Sequence, residues 1–148
     1  MAGAWKAQRG FPLVGLLVVI VVLAVLAAVL VPRLLGAGGR SEEAALKSDL
    51  HALRKAISLF VAHTSLYPAH LEDLAADNAP ALGLDSAGNV KAIDPTDWNG
   101  PYIEPVPVDS ISGEDFVYYR TPTRGHRVGE VRSSATGNSL EGIPYTDW

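Results

Sequence analysis

Four histidines are the residues in this chain whose type most often indicates metal binding or proton transfer. They are His51, His63, His70 and His126. Their spacings match no compact metal-ligand motif, which favours solvated or hydrogen-bonded surface side chains. The chain contains no cysteine, so disulfides and thiolate metal sites are excluded. We therefore predict no metal site and no cofactor.

Three aspartates lie close together in the middle of the chain and could form an acidic catalytic site. They are Asp94, Asp97 and Asp109, and they stand among glycine, proline and asparagine. Aspartate in such surroundings commonly bonds its own backbone in a turn. No arrangement of serine, histidine and aspartate stands out beyond chance. We predict that the protein is not an enzyme, with a membrane-tethered enzyme as the alternative.

A long apolar segment follows a short basic one at the start of the chain. No charged or strongly polar side chain occurs from Phe11 to Pro32. As a helix these residues would rise about 33 Å, enough to cross a hydrocarbon core. A signal peptide has a shorter apolar run of about 7–15 residues. We predict a retained membrane span, with Lys6 and Arg9 keeping the N-terminus in the cytoplasm.

The helix is predicted to weaken just beyond this segment. Pro32 cannot donate a backbone hydrogen bond, and Gly36, Gly38 and Gly39 follow it. These four residues form either a functional hinge, which we favour, or an ordinary linker between the membrane and the rest of the chain.

A second helical pattern begins after the glycines. Ser41 is placed to cap it locally, and Glu42 and Glu43 suit its start. Apolar residues then recur at spacings of three and four, which predicts one buried stripe: Leu46, Leu50, Leu53, Ile57, Phe60 and Val61. We predict a nearly continuous helix from about Pro12 to about Ser65.

The rest of the chain predicts a small head. Tyr67-Pro68 should end the helix, because a residue before proline avoids helical geometry. The remaining predictions are a short helix at 71–76, loops over 77–112, a strand at 116–120 and a return strand at 127–132. Tyr145 and Trp148 are predicted to dock on the head and fix the tail. The fold class is α+β: a long helix, half exposed, packed on a small antiparallel sheet.

The N-terminal region resembles the leader and first helix of type IV prepilins and type II secretion pseudopilins. The resemblance rests on Arg9-Gly10-Phe11, the apolar run that follows, and Pro32, the twenty-second residue counted from Phe11. It implies cleavage between Gly10 and Phe11 by a prepilin peptidase, and N-methylation of Phe11. It also implies an inner-membrane assembly platform, association with other pilins or pseudopilins, and a hinge that loosens when subunits pack.

The head resembles the major pseudopilin of type II secretion more loosely. The family's acidic, glycine-rich calcium loop near the C-terminus is not matched, since only Glu141 and Asp147 stand there. Two carboxylates cannot supply the six or more oxygens that calcium prefers. The family also implies glutamate at the fifth mature residue, where this chain has Gly15. Gly15 fits a tip or minor subunit, a bulk subunit whose filament neutralises the N-terminal amine differently, or a sequence altered at this site.

These observations predict four regions: a leader at 1–10, a transmembrane and filament-core helix at 11–35, an amphipathic helix at 36–66, and a head at 67–148. The predicted function is a structural subunit of a type IV pilus or a secretion pseudopilus, which self-associates through its apolar helix. The precursor would lie in the bacterial inner membrane, in contact with lipid, before joining a periplasmic or cell-surface filament. The alternatives are a minor or tip subunit, and a single-span protein with a binding head that never polymerises.

The charge balance predicts that this chain alone does not bind nucleic acid. The chain carries 12 basic and 16 acidic residues, a net charge of −4. Loss of Lys6 and Arg9 with the leader would leave 10 basic residues against the same 16 acidic ones. An acidic balance argues against broad binding to a phosphate backbone.

Overall fold

The structure, a computed structural model, describes residues 13–148, with side chains described for 15–28 and 38–148. Gly10 and Phe11, the predicted cleavage position, lie outside the described residues. The chain divides into two units, one ending at Gly39 and the other running from Arg40 to Trp148. Among the described residues, no helical stretch combines the length and the apolarity needed to cross a membrane.

One long helix dominates the secondary structure. Helix α1 spans Leu13–Thr64, which agrees with the predicted helix from about Pro12 to about Ser65. It ends where Ser65 takes a left-handed φ of 57° and donates its N–H to the Val61 carbonyl at 2.8 Å. The helix continues through Ser41, so the predicted local cap at Ser41 is wrong.

The apolar stripe on the second half of α1 forms the main core of the head. Its members Leu46, Leu53 and Phe60 are fully buried, and Val61 packs partly buried against the same cluster. Other core residues come from along the head: Leu71, Leu74, Ile93, Phe116, Val131, Ala135 and Tyr145. Burial of each large apolar side chain contributes about 1.5–3 kcal/mol, so the stripe anchors the head to this part of α1.

Two small antiparallel sheets complete the head, which confirms the α+β fold. The first sheet has the order β1-β2-β3, and the second pairs β4 with β5. Their bounds are β1 Tyr67–Pro68, β2 Leu82–Leu84, β3 Val90–Ala92, β4 Val117–Tyr118 and β5 Val131–Arg132. The β4–β5 pair is the hairpin predicted from residues 116–132, in a shorter form. Within the described residues of the head, three short 3₁₀ helices also occur, at Leu71–Ala75, Pro95–Asp97 and Tyr145–Asp147.

The prediction of unbroken loops over 77–112 is wrong, because β2 and β3 form a hairpin there. The turn between them is organised by Asp85, whose Oδ1 accepts hydrogen bonds from the N–H groups of Ala87 and Asn89, each at 2.9 Å. Both strands have only three residues, too few to show an alternating pattern in the sequence.

Candidate functional site

The first half of α1 presents an unusually apolar surface. Large side chains within residues 15–28 are each about half exposed, from 51% at Val22 to 60% at Val25. Consecutive positions are exposed to a similar extent, so no face of this described segment is covered. Contiguous apolar surface of this kind marks a contact with a membrane or with another protein.

Gly15 lies at the start of this segment and is exposed on the helix. It offers no carboxylate to a neighbouring amine. Pro32 and Gly36 lie among residues whose side chains are not described. At Gly38 and Gly39 an added Cβ would meet nothing within 4 Å, so packing does not require glycine at either position. The hinge at Pro32, Gly36, Gly38 and Gly39 stays a prediction.

Asp109 is the most deeply buried charged residue of the head among the described residues. It has 0% exposure, and its carboxylate accepts hydrogen bonds from four groups. These donors are the N–H groups of Ile111, Ser112 and Ser134 and the hydroxyl of Ser133. Burial raises the pKa of Asp109, but the hydrogen bonds outweigh it and hold the pKa below its usual range. Asp109 therefore connects the loop at 109–112 to the segment at 133–134.

The other acidic and histidine residues considered in the sequence do not come together in one site. Asp94 bonds the N–H and hydroxyl of Thr96, which confirms the prediction of a turn role. His63 Nδ1 lies 3.0 Å from the hydroxyl of Tyr102, and His126 stacks on Tyr119 and contacts Glu130. Within the described residues, no three His, Asp or Glu side chains are grouped as metal ligands would be.

Glu43 makes a contact that the sequence analysis missed. Its side chain is 7% exposed, and Oε1 accepts hydrogen bonds from Leu140 N–H at 2.6 Å and Tyr145 O–H at 2.8 Å. Burial and this hydrogen bond raise the pKa of Tyr145. Glu43 precedes Leu46 and Leu50 by three and seven residues, so it lies on the buried face of α1. That spacing was the available signal that Glu43 points into the head.

The C-terminal tail is fixed as predicted for Tyr145 and Trp148. Tyr145 is buried, and its ring packs edge-to-face on Trp148 with centroids 5.3 Å apart. The Lys47 ammonium lies 4.4 Å from the centre of the Trp148 ring, within cation–π range. Arg132 Nη1 also donates to the Thr146 carbonyl at 2.7 Å.

The residues near the C-terminus do not fit the calcium site that the family resemblance implies. Asp147 is 62% exposed at its side chain, and its Oδ1 lies 3.8 Å from Arg132 Nη1. A fixed guanidinium at that distance would repel a divalent cation. Glu141 is exposed on the turn. Calcium would find too few oxygen ligands here and a positive charge beside one of them.

Comparison with known proteins first gives the class. The prokaryotic N-terminal methylation motif matches residues 5–31, which include the basic residues of the predicted leader and most of the apolar segment. The family model for type II secretion system (T2SS) protein G matches residues 33–139, well over half of the chain. The chain therefore belongs to the type II secretion system protein G family. The predicted structural, pilin-like subunit is confirmed in its pseudopilus form.

Several relatives support this assignment, each named type II secretion system core protein G. The relative from Pseudomonas aeruginosa is 29% identical over 121 residues, which cover 81% of this chain and 79% of the relative. The relative from Klebsiella michiganensis is 29% identical over 142 residues, covering 96% and 90%. The relative from Klebsiella pneumoniae is 34% identical over 101 residues, covering 64% and 72%. No solved structure matches this chain.

Proposed function

We propose that this pseudopilin is cut after Gly10, methylated at Phe11 and assembled into a periplasmic filament through its apolar helix. The single observation that carries the proposal is the surface of residues 15–28, where large apolar side chains are about half exposed at consecutive positions. In the precursor, lipid would cover this surface within a span at 11–35. In the filament, the same surface would pack against helices of other copies.

The proposed processing and assembly steps imply two protein partners. A prepilin peptidase would act on the Gly10–Phe11 bond from the cytoplasmic side, where Lys6 and Arg9 hold the leader. An inner-membrane assembly platform would then extract the subunit from lipid. We propose a structural role with no catalytic activity, since Asp109 is consumed by hydrogen bonds and Asp94 by its turn.

Mass spectrometry of the N-terminus from native membranes tests the processing step. The expected result is a chain beginning with methylated Phe11. Gly10→Ala should leave the leader attached, because a cut that needs close backbone approach tolerates a Cβ poorly. Gly3→Ala, in the same leader, is the matched control and should be processed normally. An intact Met1 in the unaltered protein, or a cut beyond Ala28, would overturn the proposal.

We further propose that the chain is the bulk subunit and not a tip subunit, because it belongs to the protein G family and not to a separate minor class. With Gly15 in place of glutamate, the amine of Phe11 would need another partner. An unpaired amine in an apolar filament core could cost a few kcal/mol. Gly15→Glu should therefore change the rate or the stability of assembly clearly. Unchanged assembly in quantitative pull-downs of filaments would count against the bulk-subunit proposal.

A further inference from the structure

The C-terminal turn of the head carries polar groups, and whether these groups donate or accept hydrogen bonds decides whether a carboxylate or a metal ion can bind them. The turn runs from Gly137 to Tyr145 and is closed by hydrogen bonds from Ser139 N–H to the Ile143 carbonyl and from Tyr145 N–H to the Gly137 carbonyl. Glu43 on α1 accepts a hydrogen bond from Leu140 within this turn, and Arg132 on β5 donates to Thr146, the residue that follows the turn.

The groups that meet Glu43 are donors. Leu140 N–H and Tyr145 O–H both point to Glu43 Oε1, and these contacts bridge 97 and 102 positions of the sequence. A metal ion is bound by lone pairs, so neither of these groups, as placed, is a calcium ligand. A buried carboxylate is the matching partner for two donors, and such charge-assisted hydrogen bonds are stronger than neutral ones.

The oxygen atoms near the end of the chain contact the positively charged guanidinium of Arg132. Arg132 Nε donates to Glu130 Oε1, Arg132 Nη1 donates to the Thr146 carbonyl at 2.7 Å, and Asp147 Oδ1 lies 3.8 Å away. Two carboxylates and a carbonyl are the oxygen types that calcium gathers in other proteins. Here the Arg132 guanidinium lies among these oxygens, and its planar group donates separate hydrogen bonds to Glu130 and to the Thr146 carbonyl.

We propose that the Glu43 carboxylate and the Arg132 guanidinium close the C-terminal turn in place of bound calcium, so that the head folds without the metal. The misfit of Glu141 and Asp147 to a calcium site and the two intramolecular ties point to the same conclusion. The proposal concerns the fold of the head alone, so its failure would leave the proposed assembly role untouched.

Hydrogen exchange of the full-length protein in detergent, read by mass spectrometry, tests this. In the unaltered protein, exchange over residues 137–148 and the unfolding temperature should be the same in millimolar calcium as in excess EDTA. Glu43→Ala should accelerate exchange over 137–148 by about tenfold or more, because two hydrogen bonds to a charged acceptor are lost. Arg132→Gln should accelerate exchange near Thr146.

The matched controls are Glu42→Ala and Arg124→Gln, which alter exposed residues of the same type and should leave exchange over 137–148 unchanged. If Glu43→Ala fails to fold, Tyr145→Phe removes one hydroxyl only and should give a smaller acceleration confined to the same segment. Faster exchange of the unaltered protein in EDTA, or a higher unfolding temperature in calcium, would overturn the proposal. Equal behaviour of Glu43→Ala and Glu42→Ala would overturn it too.

Discussion

The two halves of α1 contain similar apolar residues but meet their surroundings in opposite ways. In the first half, Leu23 is 58% exposed, whereas Leu53 in the second half is fully buried. The first half carries no charged or strongly polar side chain from Leu13 to Pro32, whereas in the second half the residues of the buried stripe recur at spacings of three and four. A periodic stripe can be covered within one chain, while an uninterrupted apolar surface needs lipid or other subunits.

Polar groups sharpen this contrast. In the head, buried polar side chains such as Asp109 and Ser133 find partners within the chain. At Gly15 the helix carries no side chain to offer a neighbour, so in the proposed filament the amine of Phe11 would need another partner. The buried carboxylate of Asp109 is satisfied within the head, whereas the apolar surface of the first half of α1 is free to be covered by lipid or by other subunits.

The largest expected effect comes from a paired truncation in the second half of α1. Leu53→Ala should lower the free energy of unfolding of the head by about 3 kcal/mol, because it leaves a cavity in the core. Leu59→Ala is the matched control, since Leu59 is 41% exposed, and it should change the stability little. Urea unfolding of the full chain in detergent measures both. Equal losses would show that the stripe is not the part of α1 that anchors the head.

Asp109→Asn tests whether the hydrogen bonds to the buried Asp109 carboxylate stabilise the head. The NH₂ group of the asparagine amide would face hydrogen-bond donors that now bond the carboxylate. The expected loss in the free energy of unfolding is about 2 kcal/mol. Asp115→Asn, at an exposed position, is the control and should be neutral. Thermal unfolding compares the two. A stable Asp109→Asn protein would mean that the four hydrogen bonds contribute little.

Gly39→Ala separates the hinge proposal from the linker alternative. Alanine has room at this position and favours the helix by about 1 kcal/mol over glycine. If subunits must loosen the helix when they pack, Gly39→Ala should slow filament assembly while the stability of the head is unchanged. Ala44→Gly, on the exposed side of the next turn, controls for a general change in helix stability. Assembly at the normal rate would favour the ordinary linker.

The smallest expected effect is on the stability of the head at acid pH, through the carboxyl group of Glu130. Partial burial raises the pKa of Glu130, but hydrogen bonds from Arg132, Arg127 N–H and His126 outweigh it and lower this pKa from its ordinary value of about 4.5 to about 2. A lowered carboxyl pKa contributes stability above the unfolded value, and that stability is lost as the pH falls from about 4.5 toward about 2. Glu130→Gln should therefore show a shallower loss of unfolding temperature across this range. Parallel pH profiles for the two proteins would contradict the assignment.

The sequence predicted the parts of the structure that depend on local pattern. The continuous α1, its buried stripe and the β4–β5 hairpin follow from periodicity and turn residues. The contact of Glu43 with Leu140 could not be read from local sequence, because its partner lies 97 positions away. Asp109 was placed among turn residues, and its burial depends on Ser133 and Ser134, which also come from a distant segment. The β2–β3 hairpin was missed because three-residue strands carry too little pattern.

Cross-linking through the first half of α1 tests the central claim most directly. The chain has no cysteine, so Leu16→Cys combined with Leu26→Cys introduces the only thiols. A thiol cross-linker applied to cells with an active secretion system should give a ladder of covalent oligomers well beyond the dimer. The control pair Ser86→Cys and Thr121→Cys, on exposed head positions, should give a much weaker ladder. Monomers alone from the helix pair, or a ladder no stronger than that of the control, would contradict assembly through the apolar helix.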